Sequence, residues 1–528
     1  MTRASWGRHT LETDSFQKAV KLAGGDLKSE QVDHSLRQVC SSNMKKIRVL
    51  LINPPFYRFF RQKSSYFPKG LGHIASVLEK NNIYVRIYNA DCEDNFKLFF
   101  VNRTETKNFK KYIERVHNLD DPVYKEVCEV IANERPDVIG ISVSTSSYKA
   151  ALNIAKLSKK LGPNVKIVFG GIHPTVLPEE VLQTKLVDIV VREEGEFTFL
   201  EVIKALENGK PIRGILGTSF VADDGSIVHN PNRELMMDLD TLPFPARHLV
   251  LNVEGVPHIS YDRIMTSRGC PFGCTFCVSN KIWGRKVRFR SVKNVIEEIK
   301  EVKRKFGVTS FCIDDDTFTI NPKYVEELCD GLIKENLGIS WWCQIRTENI
   351  TESLIKKMKK AGCTTVAIGV ESGDDDVLKK INKQLDKKAV LQSSIIFKKY
   401  GILVDAFFMF GFPWENKMEL DNTIKFMKEI NPNYAWLAIV TPYPGTKMFT
   451  DYSHKLQKLE ENTFWSDFIH INPRMAFLLN DDLTEKEKSK LLNYVQKEFD
   501  KHNFIQFLKR WKMNPISIMK MIKQQLKL

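Results

Sequence analysis

The sequence predicts an α/β protein in two parts: a doubly wound, Rossmann-like parallel sheet, then an open, partial (β/α)6 barrel of the TIM type, with a helical segment after them. Three observations predict it. Short, continuous apolar runs alternate with helical patterns, as strands buried on both faces of a parallel sheet do. The alternation beats quickly up to about residue 208 and more slowly from 259. Between these stretches, residues 209–258 lose the periodicity.

Residues 1–43 are mixed polar with no apolar core, so they read as an N-terminal extension without assigned function and not as a secretory signal. The first domain, 44–208, starts where Met44-Lys45-Lys46 runs into RVLLI (Arg48 to Ile52), a buried strand followed by the turn Asn53-Pro54-Pro55. Further strands are expected at 85–89, 137–143, 165–169 and 188–191, with helices at 70–80, 148–161 and 196–208. Such a sheet takes its ligand beyond the C-terminal strand ends, where the strand order reverses. Residues 209–258 form a linker holding one small hairpin at Asp223-Asp224-Gly225 and a stiff piece at Pro243-Phe244-Pro245. The second domain, 259–450, has candidate strands at 262–267, 308–314, 340–345, 364–370, 403–410 and 435–441. Helices at 291–305, 322–335, 351–361, 386–400 and 416–430 separate them, and the chemistry of such a barrel lies at its C-terminal strand ends. Residues 451–528 are a C-terminal helical region, helical from 484, with Pro515 breaking the pattern near the end.

With 528 residues, 43% apolar side chains and no run near the ~18 apolar residues of a membrane span, a soluble multidomain protein is expected. Of the ten cysteines, Cys270, Cys274 and Cys277 are bunched. The others are scattered singly as small buried side chains, unlike a secreted disulfide framework, so the expected compartment is the cytoplasm. The net charge of +15 is partly local, with seven Lys or Arg and no Asp or Glu from Lys501 to Leu528. No zinc finger, Gly-rich RNA motif or aromatic-interleaved basic strand accompanies it, and no nucleic-acid partner is expected.

The segment Thr266 to Cys277, TSRGCPFGCTFC, follows the first barrel strand directly and so falls at the catalytic end. Three cysteines at this spacing wrap one face of an iron–sulfur cubane and leave a fourth iron open to a chelating small molecule, whereas four would close the site into an electron carrier. The alternative is a zinc knuckle or partial ferredoxin site, but a knuckle pairs two short doublets and no partner doublet follows. With Phe276 before the third cysteine, the segment resembles the signature of the radical S-adenosylmethionine (SAM) superfamily. The resemblance implies that Cys270, Cys274 and Cys277 hold a [4Fe–4S] cluster whose open iron binds SAM, with Phe276 on the adenine side. Reductive cleavage of SAM would then give methionine and a 5′-deoxyadenosyl radical.

Later strand ends resemble the cobalamin-binding branch of that superfamily. Asp314-Asp315-Asp316-Thr317-Phe318 ends the second strand, where the branch often has a DD pair before Phe and the wider family a Gly-Gly-Glu. Gln344 and Arg346 end the third, Glu371 in Gly369-Val370-Glu371-Ser372-Gly373 the fourth, and GFPWE (Gly411 to Glu415) and PYPGT (Pro442 to Thr446) the fifth and sixth. Asp315, Gln344, Arg346 and Glu371 are the SAM-side residues this implies, Arg346 being suited to a carboxylate.

In the first domain, PDVIGISVS (Pro136 to Ser144) and Phe169-Gly170-Gly171 resemble the B12-binding fold, although the pattern alone also suits a nucleotide-binding or response-regulator sheet. By the resemblance, Ser142, Ser144, Gly170 and Gly171 face the cobalamin tail, and His173 lines the cofactor. The first loop lacks the Asp-x-His-x-x-Gly of many B12 proteins, which points to cobalamin held without a His ligand, and His73 reads as structural or exposed. Arg192-Glu193-Glu194-Gly195-Glu196 resembles the branch's GEGE, with Glu193 in place of the first Gly.

The whole resemblance implies a cobalamin-dependent radical SAM enzyme that methylates an unactivated carbon of a small-molecule or lipid substrate through methylcobalamin and a 5′-deoxyadenosyl radical. A carbon without a lone pair cannot take methyl from SAM by polar displacement, so a radical is made first. Oxidative cyclisation or rearrangement with the same cofactors is the first alternative. A non-enzymatic cobalamin or redox sensor is the second, though a sensor has no need of successive barrel motifs. A low-potential electron donor of flavodoxin or ferredoxin type is the implied protein partner. The basic, Met- and Ile-rich tail Phe504 to Leu528 has two readings: peripheral contact with an anionic membrane, or a helix capping the open side of the barrel.

Overall fold

The computed structural model describes residues 46–60, 66–92, 101–251, 261–348, 350–459 and 464–513. The chain divides into two units, Met1–Lys46 and Ile47–Leu528, and everything below concerns the second. The N-terminal extension and the tail 514–528 lie outside the described residues.

Strands β1 (Arg48–Asn53), β2 (Tyr84–Asn89), β3 (Val138–Ser142), β4 (Lys166–Gly170) and β5 (Ile189–Val191) pair in parallel in the order β2-β1-β3-β4-β5. Their near-continuous burial, as in Val49 to Ile52 of β1, is what helices on both faces require. The order reverses between β1 and β3, which places the ligand crevice over their C-terminal ends. The segment expected to be a linker is structural instead. Strands β6 (Thr218–Val221) and β7 (Ile227–His229) form its hairpin and extend the same sheet antiparallel from β5. Leu242, Ala246, Leu249 and Val250 then bury their side chains in one apolar core that runs from Val49 and Leu51 of the sheet to Ile264 and Val295 of the barrel.

The second sheet holds β8 (Arg263–Ile264), β11 (Ser310–Ile313), β12 (Ser340–Ile345), β13 (Cys363–Glu371), β14 (Leu403–Phe410) and β15 (Tyr434–Ile439). All five pairings are parallel and sequential, giving an open six-stranded barrel wall. Strand β8 is shorter than the 262–267 expected. The Asp315 carboxylate accepts from the backbone N–H groups of Thr266 and Ser267 and from both their hydroxyls, taking the place of further ladder partners. The chain then enters a separate two-stranded clasp, β9 (Ser267–Arg268) against β10 (Arg288–Phe289), that closes the base of the cysteine loop.

The free edge of β15 is covered by the helix Glu485–Met513. The Asn503 amide accepts from Ala435 N at 2.8 Å and donates to Ala435 O at 3.0 Å, standing in for a further strand. For residues up to 513, capping of the barrel is therefore what the structure shows. Asn503→Ala is expected to leave both Ala435 groups without partners and to cost about 1–3 kcal/mol. A thermal unfolding scan showing an unchanged midpoint would contradict this.

Candidate active site

The cysteine loop is pinned on three sides. Asn382 donates to Gly273 O at 3.0 Å, Thr275 N donates to Ile381 O at 3.0 Å, and Met448 N donates to Thr275 O at 2.9 Å. The last bond explains a use for PYPGT: Thr446 N-caps the helix Lys447–Tyr452, whose Met448 holds the loop. Phe272 lies under Arg346, with the guanidinium carbon 3.8 Å from the ring centroid. Cys270, Cys274 and Cys277 all line one cleft of about 660 Å³ at the barrel mouth. That lies within the ~300–1,000 Å³ of a site for a small molecule.

The donor chemistry fits a cubane better than a single ion. Among the described residues no three His, Cys, Asp or Glu side chains gather closely enough to hold one metal ion. In a cubane each thiolate takes a different iron, which needs a wider triangle. Burial holds the Cys274 thiol above its ordinary pKa, with the nearby Lys383 and Arg346 cations pulling the other way. Those cations favour the thiolate that iron binds.

Of the expected SAM-side residues, Phe276, Gln344, Arg346 and Glu371 line this cleft. Glu371 sits in the left-handed region at φ 65° and receives Lys383 Nζ at 2.8 Å, both side chains nearly buried. A Cβ on Gly369 would lie 2.7 Å from Glu371 Oε1 and 2.9 Å from Lys383 Nζ, so this glycine keeps the pair in place. A carboxylate beside an ammonium is the complement of an α-amino acid headgroup, which SAM carries. Arg346 already has its carboxylate in Glu348, at 2.9 Å, and also donates to the Lys383 and Gln384 carbonyls. It therefore braces the loop. Asp315 borders the cleft, yet its oxygens are taken up by Thr266 and Ser267, which makes it a support of the loop's entry and not a free ligand. Asp314 is likewise committed, to Lys69 at 3.0 Å and Arg263 at 2.9 Å.

Glu415 closes the GFPWE turn by accepting from Gly411 N at 2.6 Å and Phe412 N at 3.3 Å. Its Oε1 is buried without a partner, and burial pushes its pKa up to about 8. The folded protein then holds a proton that the unfolded chain has lost, so stability should fall as pH rises from about 4.5 to about 8, approaching ~1.4 kcal/mol per unit. Glu415→Gln should flatten that slope. Midpoints of both proteins at several pH values across this window check it, and parallel curves would refute it.

A second cleft, of about 260 Å³, lies over the β1/β3 switch point. Its wall includes Ser142, Ser144, Gly170 and Gly171, as expected, and Glu193. Its low-lying residues leave room for a flat ligand to approach the backbone: a Cβ on Gly70 would meet nothing within 4 Å. Gly171 is glycine for another reason than the ligand. At φ 100°, its Cβ would lie 2.8 Å from Val143 O. Glu193 takes φ 58°, which explains the usual glycine at its place. No histidine stands among the described residues lining this cleft. His173 does not reach it. The ring is fully buried, 4.0 Å from the Tyr148 ring and 4.9 Å from that of Trp465, with Nδ1 3.2 Å from Thr145 Oγ1. His73 turns to the barrel cleft instead, kept neutral by burial and by Arg268, Arg290, Lys69 and Arg247.

The two clefts adjoin through Gly70, Glu196 and Trp283, which line both. The joint is held by charge. Arg268 donates to Glu194 at 2.9 Å and to Glu196 at 2.6 Å, and Arg288 donates to Glu194 at 2.8 Å, all nearly buried. Burial raises the Glu194 pKa, but the two guanidiniums outweigh it and keep the carboxylate ionised. Sequence reasoning missed Lys383, Trp283 and this Arg–Glu group, although the GEGE likeness pointed at its acidic half.

Two clefts adjoin, one of them lined by the cysteine triad, and the comparisons name the family. The model of the radical SAM superfamily matches residues 264–427 and that of the B12 binding domain residues 62–203. An uncharacterised methyltransferase of Pyrococcus horikoshii is 34% identical over 456 residues, 85% of this chain and 91% of its own. The anaerobic magnesium-protoporphyrin IX monomethyl ester cyclase of Rubrivivax gelatinosus is 30% identical over 63% of this chain and 61% of its own. The radical SAM methyltransferase TsrM of Kitasatospora setae, solved with cobalamin and a [4Fe–4S] cluster, has the same fold at TM-score 0.61 and 16% identity, over 79% of this chain and 76% of that one. The chain belongs to the cobalamin-binding radical SAM family. It is a radical SAM enzyme dependent on cobalamin, and its cofactors are a [4Fe–4S] cluster, SAM and cobalamin.

Proposed function

We propose that the chain methylates an unactivated carbon of a small-molecule or lipid substrate held between the two clefts. The observation that carries this reading is their shared wall, which lets a ligand on the first sheet and one on the cysteine loop face the same space. Bound there, the cluster with SAM supplies a hydrogen-abstracting radical and cobalamin supplies the methyl group. The chain's own work is placement. Cys270, Cys274 and Cys277 would hold the cluster, with Phe276 beside the adenine. The Glu371–Lys383 pair would open to take the SAM amino and carboxylate groups, each charge meeting its opposite. Ser142, Ser144, Gly170 and Gly171 would pass closely against cobalamin. An external donor of flavodoxin or ferredoxin type would deliver the electron.

Cyclisation with the same cofactors is the second reading, favoured by the likeness to the magnesium-protoporphyrin ester cyclase. Anaerobic reconstitution with iron, sulfide, cobalamin, SAM and a low-potential reductant separates the two. Both 5′-deoxyadenosine and cobalamin-dependent S-adenosylhomocysteine are expected. Deoxyadenosine alone would overturn methylation in favour of cyclisation or rearrangement. Phe504, Ile505 and Leu508 are exposed near Lys501 and Lys509, which supports peripheral contact with an anionic membrane through the tail. Loss of liposome co-sedimentation on deleting residues 513–528 is the expected result, and unchanged sedimentation removes the idea.

A further inference from the structure

Three residues are common to the walls of both clefts, and they differ in what they can contribute. Gly70 has no side chain, and Glu196 is buried and tied to Arg268. Trp283 alone offers a broad, half-buried surface there. It sits at the end of the short helix Ser279–Trp283, directly after the cluster cysteine Cys277.

Trp283 is held at its ring by one cation and at its backbone by another. The Arg268 guanidinium carbon lies 4.9 Å from the ring centroid, and Arg268 cannot swing away because Glu194 and Glu196 both hold it. The Trp283 carbonyl accepts from Arg288 Nη2 at 2.9 Å. Gly284 then turns the chain at φ 70°, a backbone conformation that side-chain-bearing residues rarely adopt. A flat ring fixed this firmly between two cavities is a wall, and a cation behind it keeps it from tilting.

We propose that Trp283 is the partition between the cobalamin and SAM clefts, touching the ligand on each side and setting the aperture through which a substrate meets both. The proposal rests on the cofactor assignment above and adds the residue that separates the two ligands. A corrin is flat and largely apolar, so an aromatic edge or face against it contributes through area and ring contact. Truncation to alanine would merge clefts of about 260 and 660 Å³ and strip both ligands of one contact.

The test is binding, on the full anaerobic chain with its cluster reconstituted. Hydroxocobalamin is titrated spectrophotometrically and SAM by equilibrium dialysis. Trp283→Ala is expected to weaken hydroxocobalamin about tenfold and SAM about threefold, the loss of one ring contact at each site. Trp283→Phe, which keeps a flat ring, is expected to stay within about threefold of the parent for both. Trp283→Leu carries the same test should the alanine variant not fold. Unchanged affinities in the alanine or leucine variant overturn the partition, and so does a change confined to one ligand. A parent protein that binds no cobalamin would instead overturn the cofactor assignment itself.

Discussion

Replacing Cys274 with alanine is expected to abolish SAM cleavage while leaving cobalamin bound. Cys274 sits mid-loop, between a turn whose Cys277 N donates to its carbonyl at 3.1 Å and the pinned Gly273 carbonyl. On the proposed assignment, losing one of three thiolates would leave a second iron without a protein ligand, and the cluster would be lost. Without it no electron reaches SAM, so 5′-deoxyadenosine formation should drop to background, a loss of more than ~10⁶-fold on the usual scale of enzymatic acceleration. The cobalamin cleft contains none of the three cysteines, so hydroxocobalamin should bind as in the parent. Iron analysis, cleavage assay and a cobalamin titration on one preparation test all three statements. Cleavage at the parent rate would sink the cluster assignment.

The second large effect is on stability. Arg268→Met removes the partner of Glu196 and one of the two partners of Glu194 in a nearly dry interior. Glu196 has one oxygen unpartnered already, so its charge would be left buried without compensation. Breaking a buried pair from one side costs about 3–5 kcal/mol. Adding Glu196→Gln should recover much of the loss. Thermal midpoints of the parent, the single variant and the double variant read this directly. A single variant as stable as the parent would show that water reaches the joint.

Much of the fold is legible in the sequence because parallel strands buried on both faces leave apolar runs that polar surfaces do not imitate. The expected helices 148–161 and 322–335 coincide with Tyr148–Leu161 and Pro322–Glu335. The helix Val101–His117 escapes the same reading because Phe109, Tyr112 and Val116, which it buries, are diluted among charged residues. Pro122–Glu134 escapes it too, although Asp121 caps it and Pro122 opens it, a signal available in the sequence. The cysteine triad is legible because its geometry is local. The partners of Arg268 lie 72 and 74 positions away and that of Arg288 lies 94 away, beyond any spacing rule. His173 fails for a finer reason: three residues beyond the end of a strand, the side of the chain it takes is decided by packing, here against Tyr148 and Trp465.

The Arg–Glu joint also has a consequence for how the chain is made. Glu194 and Glu196 leave the ribosome well before Arg268 and Arg288, which follow up to 94 positions later. At ~5–20 residues per second that is a wait of roughly 5 to 20 seconds. Through that interval Glu194 and Glu196 have no cation to meet and stay in water, so the seam between the first sheet and the barrel closes only after Arg288 has emerged.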